Sequence, residues 1–169
     1  MKKSPDYKLM FDQACAIIDC VGNVQYEGKD INKRVNSHFY VWISLTALAC
    51  EIWMKCLITA NGEEYERNHG LIDLWETYKK VKPNEAATVE NDIERVIDHK
   101  EAGGFREWIR NASDAFVKWR YIFDYGDKDV KKVSPQFLRI FSASLRNLCC
   151  KEVYDKLWEE YMNQKNSMD

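Results

Sequence analysis

The sequence predicts an all-α fold, an up-and-down antiparallel helical bundle of about five or six helices, in one domain covering residues 1–169. Three observations predict it. Apolar residues recur at helical spacing in segment after segment, no stretch alternates convincingly with the period of a strand, and turn-forming residues cut the chain at intervals suited to short loops. The densest apolar run, FYVWISLTALACEIWMKCLITA from Phe39 to Ala60, should form the central helix. Its polar residues Ser44, Glu51, Lys55 and Thr59 fall at spacings of seven, four and four, one narrow stripe on an otherwise apolar rod.

In chain order, Asp6 is placed to cap a first helix running to about Val21, with Leu9, Met10, Ala14, Ile17, Ile18 and Val21 as its apolar face. Gly22 and Asn23 end it. The stretch VGNVQYEGKDINKRVNSH reads mostly as loop, and Asn36 or Ser37 caps the long second helix. Asn61 and Gly62 close that helix in the left-handed manner before the acidic turn EEYE. In NHGLIDLWETYKKV, Leu71, Leu74, Trp75 and Tyr78 share a face, Lys79, Lys80 and Lys82 suit the negative end of the dipole, and Pro83 stops the helix. EAATVENDIERVIDHKEA is a charged helix with a thin stripe, Ala86, Val89, Ile93, Val96 and Ile97, which marks a peripheral cover. Gly103 and Gly104 break the chain before FREWIRNASDAFVKWRYIFDYG, where Trp108, Phe116, Trp119 and Phe123 mark a second buried face. Ser134 and Pro135 open a last helix from about Gln136 to Tyr161, facing inward with Phe137, Ile140, Phe141, Leu145, Leu148, Val153, Leu157 and Trp158. Residues 1–5 and 163–169 should fray.

With 46% hydrophobic and 31% charged residues the chain is globular in composition, and a chain of this length buries about 70% of its unfolded surface without staples. A net charge of -2 offers no bulk attraction to nucleic acid or an anionic membrane, so any phosphate recognition is local. The six cysteines lie in helical segments among apolar neighbours with no CxxC spacing, which suits buried, reduced thiols and a cytoplasmic location. Pro5, Asp6 and Asp12 interrupt any secretion signal. The Phe39–Ala60 run is long enough to span a bilayer, but Glu51 and Lys55 in its middle would each cost roughly 2.5 to 3.5 kcal/mol there. No membrane partner is expected.

Three groupings could carry chemistry. Glu51 and Lys55, spaced i,i+4, form an orienting ion pair or part of a site. His69 in ERNHGLIDL is a cap or packing residue, or a titrating group. In WRYIFD, Arg120 and Asp124 make an intrahelical salt bridge over an aromatic face, or present a guanidinium to phosphate while Tyr121 and Trp119 stack a base. Glycine-rich phosphate loops, HExxH, GxSxG, Cys/His zinc spacings and paired Glu-x-x-His ligands are absent, so no cofactor and no metal is expected.

Taken in order, ALACEIWMKCLI, NHGLIDLW and NASDAFVKWRYIFD resemble the HEPN superfamily of small helical-bundle proteins. There an "A.E...K" helix precedes an "H.L..L" helix, and a later helix often carries "RY..E". The matching positions here are Ala49, Glu51 and Lys55; His69, Leu71 and Leu74; and Arg120, Tyr121 and Asp124, so the likeness covers about Phe39 to Asp124. The resemblance implies a bundle that dimerises, with roles in RNA cleavage, toxin-antitoxin pairs or phage defence. Active members cleave RNA without metal, using an arginine followed by four to six residues and a histidine. Arg34 and His38, and Arg95 and His99, have three residues between them, and Arg67 and His69 have one, so this chain departs from that spacing. The expectation is therefore a non-catalytic or weakly catalytic homodimeric module that binds RNA, a nucleotide or a protein partner through Glu51, Lys55, His69, Arg120, Tyr121 and Asp124. The alternative is a metal-independent, toxin-like endoribonuclease using His69 or His99 with Arg120 or Arg95. A third reading makes Glu51, Lys55, His69, Arg120 and Asp124 one internal polar network that keeps helices in register.

Overall fold

The computed structural model describes residues 5–22, 37–66, 70–97, 103–113, 115–120 and 132–167, without the side chains of Ser37, His38, Trp119 and Arg120, and every regular element among those residues is a helix. Helix α1 (Tyr7–Gly22) starts where its cap dictates: the amides of Lys8 and Leu9 donate to Asp6 Oδ1 at 3.1 and 3.2 Å. Phe11, Ala14 and Val21 are its buried residues. Leu9 was expected among them, yet it is 65% exposed, because two residues along a helix is about 200° of turn and Phe11 takes the inward position.

Helix α2 (Ser37–Ala60) sits at the centre, packed against α1, α3 (Leu71–Val81), α6 (Ala115–Arg120) and α7 (Pro135–Tyr154). Ile43, Ala47, Cys50, Trp53, Met54, Leu57 and Ile58 are buried along it. By length and hydropathy Phe39–Ala60 could cross a membrane, but 67% of its apolar window is buried by the other helices, which accounts for its composition. Of the expected caps, Asn36 and the side chain of Ser37 lie outside what is described, and Ser37 is already helical. At the other end Gly62, at φ 78°, lets the Gly62 amide donate to Thr59 O at 3.0 Å and the Glu63 amide to Ile58 O at 3.1 Å, a Schellman closure.

Pro83 both ends α3 and opens α4 (Pro83–Val96), since a first helical position has no use for its missing N–H. Ala86, Val89, Ile93 and Ile97 are buried as expected, while Val96 points outward. The carboxylates of α4 reach across to its neighbours. The Tyr78 hydroxyl donates to Glu85 Oε2 at 2.9 Å, Trp75 Nε1 and Lys79 Nζ both donate to Glu90 Oε1 at 2.8 Å, and Glu94 Oε1 accepts the Phe105 amide at 2.8 Å. The last of these caps α5 (Phe105–Ala112) from outside, a role ordinarily filled by the residue just before a helix.

Two helices expected as single rods are broken, so the described residues hold eight helical segments rather than five or six. The first break, between α5 and α6, falls at Ser113. Its carbonyl accepts from the Leu71 amide at 3.4 Å and its hydroxyl from the Ile72 amide at 3.2 Å, so Ser113 caps the start of α3 from the end of α5. The second separates α7 from α8 (Trp158–Asn166) at Asp155, whose φ of 53° is left-handed. Ser134 and Pro135 open α7 as expected, with the Phe137 amide donating to Ser134 Oγ at 3.0 Å. The polar segment from Asn163 remains helical to Asn166. The core between α3, α5 and α7 is aromatic: Trp75 lies 5.3 Å from both Phe105 and Phe141, and Phe137 and Phe141 stack at 5.2 Å.

Candidate functional site

Glu51 and Lys55 come together as their spacing requires, Nζ lying 2.6 Å from Oε1. Glu51 is only 3% exposed, and the Lys55 ammonium also lies 5.3 Å from the centre of the Tyr65 ring, which the acidic turn after α2 carries back over it. Desolvated by the bundle, the pair is held in one geometry from two sides. Arg120 is the last described residue of α6, and α6 packs directly on α2. The side chain of Arg120, together with His69, His99, Tyr121 and Asp124, lies outside the described residues. Gly70, which follows His69, is the N-cap of α3, and a Cβ there would meet Asp73 Oδ2 at 2.8 Å while standing in ordinary contact, 3.4 Å, with Ser113 Oγ.

Half of the polar stripe of α2 turns inward. Ser44 and Glu51 are buried, whereas the open edge of the helix is the line Val41, Leu45, Leu48 and Ile52, with Val41 46% exposed and the other three half-buried. These residues recur at four, three and four, the spacing of a helix seam made to meet another helix. Lys55 and Thr59 extend the same line. Sequence reasoning concentrated on the polar residues and missed this edge, although its spacing is legible in the letters.

All six cysteines are free thiols. Cys50, Cys56, Cys149 and Cys150 are buried and Cys15 half-buried, but Cys20 is exposed, against the expectation that all would be enclosed. Cys56 Sγ donates to Tyr7 O at 3.1 Å and Cys149 Sγ to Trp53 O at 3.2 Å, tying α2 to its neighbours. Burial pushes the Cys15 thiol up to about 12, and it raises Cys50, Cys149 and Cys150 above the ordinary value of 9.0 as well. Burial, then Glu85, does the same to Tyr78. These thiols are poor nucleophiles at neutral pH.

A dependence on pH follows. Unfolded thiols ionise near 9 while the folded ones stay neutral, so the unfolded state gives up protons first. The stability contributed is complete below about pH 9 and is lost as the pH climbs toward about 12. Thermal unfolding followed by circular dichroism should show a level Tm up to about pH 8.5 and a fall beyond about pH 9.5; a Tm unchanged at pH 11 would contradict this.

Among the described residues, no three His, Cys, Asp or Glu side chains gather in a way that could hold a metal ion. Comparison with family models, curated proteins and solved structures finds no match to this chain.

Proposed function

We propose that this chain is a HEPN-like helical bundle acting as a homodimeric interaction module, two copies meeting along the open edge of α2. One observation carries the reading: an apolar line at four-three-four spacing, Val41, Leu45, Leu48 and Ile52, on the element that every major neighbour packs against. A second copy of the chain related by a two-fold axis would bring this same line against itself, the self-complementary arrangement that a helix seam permits. The HEPN-like order of residues supports the same reading, with Ala49, Glu51 and Lys55 on α2 and Leu71 and Leu74 buried on α3.

Size-exclusion chromatography with light scattering should return a dimer mass at micromolar protein, and Leu48→Glu should return a monomer of unchanged helicity. A monomer at every concentration, or a dimer indifferent to Leu48→Glu, removes the proposal. RNA binding is read on the same samples by filter retention. The nuclease alternative is read by incubation with RNA in EDTA, where 2',3'-cyclic phosphate ends would favour it over the non-catalytic module.

A further inference from the structure

We propose that α8 is a latch that swings away about Asp155 while the rest of the bundle stays folded, uncovering Phe11 and the Cys150 thiol. None of its nine residues is buried, unlike α3, α4, α5 and α7, each of which is anchored by several fully enclosed side chains. A helix shorter than about 12 residues does not hold its shape alone in water, so α8 is helical only as long as it stays docked.

The docking is one aromatic knot. Trp158 and Tyr161 lie 6.3 and 5.8 Å from Phe11, Tyr161 lies 4.8 Å from Tyr154, and the Arg146 guanidinium lies 4.3 Å over the Trp158 ring. Outside that knot the segment faces water: Leu157, its N-cap, is 59% exposed, and Lys156 and Gln164 pair with each other at the surface. The joint is equally distinct. Asp155 is the one non-glycine residue with positive φ among the described residues, and it interrupts the helix between Tyr154 and Trp158.

What lies beneath is closed to solvent: Phe11 and Cys150 show no exposed surface. Cys150 lies one helical step from Arg146 and one from Tyr154 on the same face of α7, and those two residues meet Trp158 and Tyr161, so α8 lies along the face that carries the thiol. Lifting α8 therefore opens a path to Cys150 that leaves Cys50, Cys56 and Cys149 enclosed by α1, α2 and α7. The free energy of such an opening is that of a few half-buried rings, well short of global unfolding.

Native-state alkylation with N-ethylmaleimide, resolved by residue in a mass spectrometer and normalised to the denatured chain, tests it. Exposed Cys20 serves as the fast reference. Cys150 should react at least about ten-fold faster than Cys50, and Trp158→Ala should raise the Cys150 rate about ten-fold further without changing Cys50. Hydrogen exchange supplies an independent reading: amides of residues 158–166 should exchange at a rate insensitive to low urea, while those of α2 follow the urea dependence of global unfolding. Equal normalised rates at Cys150 and Cys50, or one shared urea dependence for α8 and α2, overturns the proposal.

Discussion

Trp75→Ala is expected to lower the unfolding free energy by about 4 kcal/mol, within the range of about 3 to 5 kcal/mol for truncating a buried aromatic. The indole is 1% exposed and sits among Tyr78, Phe105 and Phe141 at centroid distances of 5.5, 5.3 and 5.3 Å, so its loss leaves a void bounded by rings that cannot all collapse inward. It also removes one of two donors to Glu90 Oε1, and Lys79 remains as the other. Trp75→Phe separates the two effects. Ring packing is largely kept and the N–H is lost, so about 1 to 2 kcal/mol should go. Urea denaturation with unchanged m-value measures both. A cost below about 1.5 kcal/mol for the alanine variant would mean that α3, α5 and α7 do not share a single core.

The features legible in the sequence are those whose causes are local. Asp6 caps α1, Gly62 closes α2 and Ser134 with Pro135 opens α7, because each signal is read by amides within a few residues of it. The break at Ser113 was not legible. NASDAF carries no strong helix breaker, and Ser113, its backbone still in the right-handed helical region, is engaged by the amides of Leu71 and Ile72, forty-odd residues earlier in the chain. Asp155 likewise sits in a segment whose apolar spacing continues through it to Trp158. The charged helix α4 was read as a cover, which its thin stripe justified. That Glu85, Glu90 and Glu94 each bind a particular donor on α3 or α5 depends on tertiary placement that no periodicity encodes.

At the candidate site the i,i+4 spacing gave the Glu51 and Lys55 contact, because a helix enforces it. Which way the stripe faced could not be read so simply. Polar residues on an apolar helix suggest a solvent edge, but here Glu51 is buried, Tyr65 lies over the Lys55 ammonium, and the rest of the lightly covered line is mostly apolar. Burial of a mutually compensated pair is tolerable where burial of one charge is not, so the neighbours could close on that side. The apolar line stays lightly covered in the single chain.

Lys55→Met is expected to cost about 3 kcal/mol, because it takes from the Glu51 carboxylate, 3% exposed, the ammonium that lies 2.6 Å from it. The methionine fills much the same volume, so the loss reports the charge and not a cavity. Replacing both partners, Glu51→Leu with Lys55→Met, should return stability to within about 1 kcal/mol of the parent, since an apolar pair carries no desolvation cost. The four corners of this cycle, measured by urea denaturation, decide between two roles for the pair. Recovery in the double variant, with the dimer intact, makes Glu51 and Lys55 a device for orienting α2. If the double variant stays as unstable as Lys55→Met, the carboxylate holds more than Lys55, and the wider polar network implied by the HEPN-like residues gains the support that the pair alone does not give.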